Sequence, residues 1–337
     1  MISSGFLFIA AGAIVVVAGT YLARFGDAIA KRTRLGGLWI GAVLLAGATS
    51  LPELATDISA VRMGALDLAV GDLFGSSMAN MLILALIDLL SPRREVLRRA
   101  TLDHALAAGL AISLNALAVA FLLVPSGFLV AGVAPESAVL FLGYVLGTRA
   151  VYRNAMRDYG PVPGKEPEVI KAVDERLPTL RRALVGFAAA AGVTLAAAPL
   201  FAYAAKELAV ATGLGATFTG TWLVGLSTSL PELVTSIAAV RIGAFDLAVG
   251  NLFGSNAFNM SIFFWLELAN PGGSLFSEAS GAHALSGLFA IVMMSLGLAA
   301  IVYRARKRFT MLEPDSALIV LAYALALWIL YLHRGMK

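Results

Sequence analysis

TSLPELATDISAVRMGALDLAVGDLFGSSMANM, from Thr49 to Met81, recurs without a gap as TSLPELVTSIAAVRIGAFDLAVGNLFGSNAFNM, from Thr228 to Met260. The copies agree at 24 of 33 positions and stand 179 residues apart. Thr33, Leu35, Gly36 and Gly41 recur at the same offset as Thr212, Leu214, Gly215 and Gly220, so the duplicated unit extends upstream of the quoted stretch. Working outward, the surrounding sequence is too apolar for water. Of 337 residues 59% are hydrophobic and 14% charged, and mean hydropathy is +0.85; soluble domains carry about 25% charged residues. A soluble enzyme is excluded, because apolar runs recur along the whole length and would not fit inside one or two cores.

Hydropathy divides the chain into ten candidate spans, at roughly 4–25, 36–61, 67–90, 102–124, 134–154, 180–205, 214–240, 246–269, 282–303 and 315–333. The expected fold is an all-α integral membrane protein of ten transmembrane helices in two inverted five-helix repeats. Residues 1–154 form the first repeat, with its duplicated segment at about 36–90. Residues 155–179 form a cytoplasmic connection, and 180–337 the second repeat, with its duplicated segment at about 214–269. Five spans per unit is an odd number, so the second copy enters the membrane upside down. Inverted repeats are a transporter architecture, with the substrate site at mid-membrane where the copies meet.

Orientation follows from the basic residues. Twenty of the 25 Lys and Arg cluster at the ends of spans on one side, whereas Arg62, Lys206, Arg334 and Lys337 fall on the other. The positive-inside rule then puts both termini outside. The first span has no basic start and is followed by Lys31, Arg32 and Arg34, so it reads as a retained helix rather than a cleaved leader. The basic pI of 9.4 is thus explained by membrane orientation, without a nucleic-acid partner. The expected partners are the lipid bilayer and inorganic cations, with oligomeric state open. Cysteine is absent, which excludes disulfides and thiolate metal sites.

Glu53 and Glu232, at matching positions in the copies, fall near the middle of their spans, where an ionised side chain costs about 2.5–3.5 kcal/mol on insertion scales. No Lys or Arg lies centrally in any other span to pair with them, which leaves protons and bound cations as compensators. Pro52 and Pro231 directly precede the glutamates and remove an N–H each, freeing the carbonyls of Ala48 and Ser227 and leading us to expect unwound backbone there. Thr49, Ser50, Thr228 and Ser229 add hydroxyls at the same level. The next span brings Ser76 and Asn80, and in the second copy Ser255 and Asn259, each pair at i,i+4 on one helix face. Carboxylate, hydroxyl, amide and carbonyl oxygens suit hard cations such as Ca²⁺ and Na⁺ and disfavour zinc and copper. His104, His283 and His333, all near span ends, read as ordinary interfacial residues. Gly71 and Gly75, and Gly250 and Gly254, have the i,i+4 spacing of a close-approach helix face.

The two segments, each containing TSLPEL and GxxDLAVGxLFGSxxxN, closely resemble the two α-repeats of the cation/calcium exchanger superfamily, in particular prokaryotic-type members of its Na⁺/Ca²⁺ exchanger family. The likeness covers nearly the whole chain apart from the middle connection. It implies a secondary active antiporter, not an enzyme, that exchanges Ca²⁺ for Na⁺, or for H⁺ in related branches, by alternating access. It implies no cofactor beyond the transported ions. The ion ligands it implies are Thr49, Ser50, Glu53, Ser76 and Asn80 with Thr228, Ser229, Glu232, Ser255 and Asn259, and the backbone carbonyls of Ala46 and Gly225. Glu53 and Glu232 would bridge Ca²⁺, and spans 1 and 6 would slide against the other eight.

The first copy departs from the family pattern. Asp72 stands opposite Asn251, Ser77 opposite Asn256 and Asp57 opposite Ser236. Asp57 and Asp72 are therefore accessory candidates. Either they pair with Arg62 near the outer surface, or one of them adds a proton or cation site and puts the coupling ion in doubt. Two other classes compete: a cation channel, and an intramembrane hydrolase using paired acids such as Asp67 and Asp72. Orientation is checked by cysteine labelling. Ser3→Cys and Ser126→Cys should react with an impermeant reagent on intact cells and Ser91→Cys should not; the reverse pattern would invert the topology.

Overall fold

The structure, a computed structural model, describes residues 2–33, 35–91, 96–99, 101, 103–158, 177–211, 227–270, 272–303 and 314–333. Gly225, Thr212, Leu214, Gly215, Gly220, the first part of span 7 and most of the expected connection lie outside these, as does the His333 side chain.

Among the described residues the chain is helical, apart from turns and one isolated bridge between Val130 and Val133. The helices are α1 (Ile2–Thr33), α2 (Gly36–Trp39), α3 (Ala46–Arg62), α4 (Leu66–Leu90), α5 (Val96–Arg99), α6 (His104–Leu123) and α7 (Pro135–Asp158). They continue with α8 (Leu180–Ala211), α9 (Leu230–Arg241), α10 (Phe245–Ala269), α11 (Leu275–Glu278), α12 (His283–Tyr303) and α13 (Pro314–His333). A π-helical stretch, Ile40–Leu45, joins α2 to α3.

Seven helical segments among the described residues are long and apolar enough to cross a membrane. These are Ser4–Thr33, Gly36–Arg62, Leu66–Leu90, His104–Leu123, Leu180–Phe201, His283–Tyr303 and Asp315–Leu332. They make the protein an integral, multi-pass membrane protein. The other three expected spans fall short for identifiable reasons. Helix α7 has the length, at 24 residues, but begins with Glu136 and carries Arg149 and Arg153. Helix α10 has 25 residues, but Asn251, Asn256 and Asn259 lower its apolarity. Of span 7 only residues 227–240 are described, and its helix α9 has 12 residues.

The backbone near the prolines corrects one expectation. Helix α3 runs unbroken through Pro52, and the irregularity lies a turn and more upstream, in the π-helical stretch. A proline inside a helix loses one hydrogen bond, and neighbouring packing can hold the rest. In the second copy the helix does break: Ser229 is in a turn and Pro231 lies in the first turn of α9, where a missing N–H costs nothing.

Helix α10 is the central element, packed on α3, α4, α6, α7, α9 and the π-helical stretch. Small residues permit the approach. A Cβ at Gly254 would collide with the Ala42 backbone, and one at Gly250 would come 2.8 Å from the Leu38 carbonyl oxygen. Helices α1 and α8 lie antiparallel against each other, with Phe8 stacked on Phe201 at 4.5 Å and Gly186 against the Phe25 ring. Between them opens an apolar groove of about 530 Å³, lined among others by Ile14, Val17, Tyr21 and Val193.

Two of the histidines are more than interfacial residues. His104 Nε2 lies 3.0 Å from Asp246 Oδ1, and His283 Nε2 lies 3.1 Å from Asp67 Oδ1. The same carboxylate oxygens accept the backbone N–H of Thr101 at 3.1 Å and of Ser280 at 2.8 Å. Every partner in one clasp is the other's counterpart at an offset of 179, and each clasp joins the start of a duplicated helix to the other half of the chain. At the opposite ends of α4 and α10, Asp88 accepts from Leu97 N at 3.1 Å and Ser316 Oγ at 2.8 Å, and Glu267 accepts from Leu275 N at 3.3 Å. The two clasps differ in exposure: His104 is 0% exposed, whereas His283 is 20% and its Asp67 partner 61% exposed. His104→Ala should therefore lower stability by about 1–3 kcal/mol and His283→Ala by less, measured as thermal unfolding of the purified protein in detergent. Equal effects would show that burial does not set the clasp's strength.

Candidate ion-binding site

Helices α3, α4, α9 and α10 bring the duplicated segments face to face. The side chains of Thr49, Ser50, Glu53, Ser76, Asn80, Thr228, Ser229, Glu232, Ser255 and Asn259 are all buried. Ala46 lies beside them and its carbonyl accepts from Thr49 Oγ1 at 3.2 Å. The structure thus gathers every described candidate from the two copies into one cluster.

The contacts cross between copies. Ser50 Oγ donates to Glu232 Oε1 at 3.1 Å, and Ser255 Oγ reaches the same oxygen at 3.4 Å. Reciprocally, the Asn259 amide, oriented to satisfy its neighbours, donates to Glu53 Oε2 at 3.2 Å. Thr228 Oγ1 donates to Asp72 Oδ1 at 3.2 Å and lies 3.4 Å from Ser76 Oγ, while Thr49 Oγ1 donates to Asn251 Oδ1 at 3.3 Å. Glu232 and Asp72 stand close enough to Glu53 to repel its charge.

After these bonds several oxygens remain unsatisfied. Glu53 Oε1, Glu232 Oε2, Asn80 Oδ1 and Ser229 Oγ are buried without a hydrogen-bond partner. Buried polar atoms ordinarily have partners, and an unpaired buried charge is costly. Among the described residues no Lys or Arg forms an ion pair with either glutamate, and no three His, Cys, Asp or Glu side chains group as a metal centre. Two carboxylates with neutral hydroxyl and amide oxygens are therefore what this cluster offers, a donor set for hard cations.

The departures of the first copy also take shape. Asp57 and Asp72 are buried, and their carboxyl groups lie within hydrogen-bonding reach of each other. Arg62 is exposed, and no ion pair joins it to either aspartate among the described residues, so the benign pairing is not formed. Asp67 is held by His283 rather than by Asp72, which removes the acid pair a hydrolase would need.

Two residues of the site escaped the sequence reading. Asn256 accepts from Asn80 Nδ2 at 2.9 Å and donates to the Ser77 carbonyl at 3.2 Å. Asn115 of α6 donates to the Asn256 carbonyl at 3.4 Å and to the Ala111 carbonyl at 2.9 Å. Asn115 is the lone amide of an otherwise apolar span, which is the signal that could have found it.

Charged oxygens enclosed between membrane-crossing helices, with unsatisfied atoms facing one another from both halves of the chain, define the class: a cation transporter of the membrane. The chain belongs to the sodium/calcium exchanger protein family, whose model matches residues 3–152 and 182–332. It is similar to the sodium/calcium exchanger MaX1 of Methanosarcina acetivorans, 28% identical over 355 residues that cover 88% of this chain and 93% of the relative. The inner membrane protein YrbG of Escherichia coli is 31% identical over 273 residues, 77% of this chain and 78% of the relative. The putative antiporter CaxA of Alkalimonas amylolytica is 25% identical over 300 residues, 87% and 90%. The fold is that of the sodium-calcium exchanger NCX_Mj. A structure of NCX_Mj soaked with zero Na⁺ and Ca²⁺ superposes with a TM-score of 0.71 at 23% identity, covering 97% of this chain and 99% of that one. The protein is accordingly an antiporter of the sodium/calcium exchanger type, a transporter and not an enzyme.

Asn256→Ala leaves Asn80 Nδ2 without its acceptor and Ser77 O without its donor. It should cost about 1–3 kcal/mol and weaken ion binding through a loosened Asn80, read as a lower unfolding temperature and a smaller stabilisation by added Ca²⁺.

Proposed function

We propose that the chain exchanges Ca²⁺ for Na⁺ across a prokaryotic plasma membrane by alternating access, in a body of ten spans arranged as two inverted five-helix repeats with both termini outside. The observation that carries this reading is the facing pair Glu53 and Glu232, each fully buried, each held by a polar side chain of the other copy, and each with one oxygen unpartnered. Two carboxylates match one Ca²⁺ or two Na⁺ in charge, and either load would repay the cost of keeping them ionised inside the membrane.

In this mechanism Glu53 and Glu232 bridge Ca²⁺ from opposite sides. Thr49, Ser50, Ser76, Thr228, Ser229 and Ser255 supply hydroxyls for Na⁺ with the Ala46 and Gly225 carbonyls, and Asn80 and Asn259 complete the shell with neutral amides. The reciprocal His–Asp clasps support the inverted-repeat reading, since each contact has its counterpart 179 residues away. Helices α1 and α8 pack chiefly on each other, in keeping with a pair that slides as a unit against the rest. Helices α7 and α10 supply spans 5 and 8, with Glu136 of α7 and Asn251, Asn256 and Asn259 of α10 buried in protein. The competing coupling ion is H⁺, for which the buried Asp57 and Asp72 are the observation in favour.

The test is radiolabelled Ca²⁺ uptake into proteoliposomes under an imposed Na⁺ gradient and, separately, an imposed pH gradient. Uptake should follow the Na⁺ gradient, independently of K⁺, and Glu53→Gln or Glu232→Gln should reduce it to background in a protein that still folds. Uptake driven by the pH gradient alone would make the protein a Ca²⁺/H⁺ antiporter. Wild-type rates in both glutamine variants would sink the proposed site, and single-channel currents would replace exchange by conduction.

A further inference from the structure

The duplicated halves contain their own control for Asp57 and Asp72. In the second copy Asn251 Nδ2 donates to Thr235 Oγ1 at 3.1 Å and to Ser236 Oγ at 3.2 Å, a neutral network in which the donors have acceptors. The corresponding residues of the first copy are Asp72, Thr56 and Asp57, and Thr56 makes the same backbone contact to Pro52 O that Thr235 makes to Pro231 O. The frame is therefore conserved while the amide–hydroxyl pair has become two carboxyl groups. They remain within hydrogen-bonding reach of each other. As carboxylates neither can donate, and Oδ2 of each is buried with no partner. Asp57 is 2% and Asp72 4% exposed.

Something positive must sit there, and it is not a side chain of the described residues. One proton shared between the two carboxyls would bridge them and still leave a negative charge beside Glu53, which Asp72 already repels. A small hard monovalent cation can take lone pairs from both orphaned Oδ2 atoms and from Thr228 Oγ1, which already lies 3.2 Å from Asp72 Oδ1. We infer that Asp57 and Asp72, with Thr228, form an additional Na⁺ site between Glu53 and the Arg62 end of α3, a site that the second half of the chain lacks.

Its place in transport rests on the exchanger reading above, whereas its existence is tested without it. The probe is equilibrium binding of radiolabelled Na⁺ to the purified full chain, wild type against the double variant Asp57→Ser/Asp72→Asn, which copies a pair that already packs in the second half. The double variant should bind one Na⁺ fewer per chain and keep a monodisperse, cooperatively unfolding protein. Equal Na⁺ binding in the two proteins would overturn the site. Loss of Na⁺ binding altogether would overturn it as well, by making the aspartates part of the Glu53/Glu232 centre. In proteoliposomes the variant should exchange one Na⁺ fewer per Ca²⁺, read from the reversal potential. An unchanged Na⁺ count with altered proton movement would assign the pair to H⁺ instead. Should wild type move no Ca²⁺ under a Na⁺ gradient, the exchanger reading fails, and the binding difference still decides the site.

Discussion

Burying two carboxyl groups inside a membrane-spanning bundle is the constraint on which the rest of this structure depends. Glu53 and Glu232 have no basic partner among the described residues, and the free energy of placing them in hydrocarbon is several kcal/mol in total. The protein compensates in part with one hydroxyl and one amide donated across the midline, Ser50 to Glu232 and Asn259 to Glu53, and with Ser255 beside Glu232 in its own copy. The compensation is incomplete: carboxyl and hydroxyl oxygens remain without a partner, which a bound cation or a proton would satisfy. A fully satisfied network would be a stable core and a poor ion carrier.

That arrangement demands close and fixed backbone distances, which explains the glycines and the clasps. Helix α10 approaches Ala42 and Leu38 at contacts that leave no room for a Cβ at Gly254 or Gly250, and from it Asn251 and Asn259 reach Thr49 and Glu53 of α3 while Ser255 reaches Glu232 of α9. Further along, Asn256 ties Asn80 to Ser77, and Asn115 ties α6 to Asn256. At the rims, His104–Asp246 and His283–Asp67 hold the halves in register. Polar groups outside the cluster are thus mostly paired, and the unpaired oxygens concentrate where an ion would sit.

The duplication, the two glutamates and their hydroxyl neighbours were legible in the sequence because each is a local signal: identity at a fixed offset, or a charge where hydropathy forbids one. The clasps were not, although their partners obey the same offset. His104 and Asp246 are 142 residues apart in sequence, and a histidine at a span end is consistent with mere interfacial placement. The span at 246–269 is read from hydropathy although Asn251, Asn256 and Asn259 lower its average; these three are buried against protein, which the sequence pattern does not reveal. Pro52 misled for the opposite reason. Its effect on an isolated helix is real, but α3 is braced by α4, α9, α10 and the preceding π-helical stretch and keeps its course.

Duplication followed by divergence left the halves similar in frame and unequal in charge. Ser236 and Asn251 form a neutral pair, and their counterparts Asp57 and Asp72 a charged one, at the same depth of equivalent helices. Asp57 and Asp72 put two further carboxyl groups on the side of Glu53 where Ser236 and Asn251 put none beside Glu232. The exchange leaves the packing frame in place: asparagine and aspartate are nearly isosteric, and the Thr56 and Thr235 hydroxyls bond the equivalent carbonyls of Pro52 and Pro231. A difference in charge between the halves is therefore carried by side chains on a shared backbone, and needs no rearrangement of the helices that hold them.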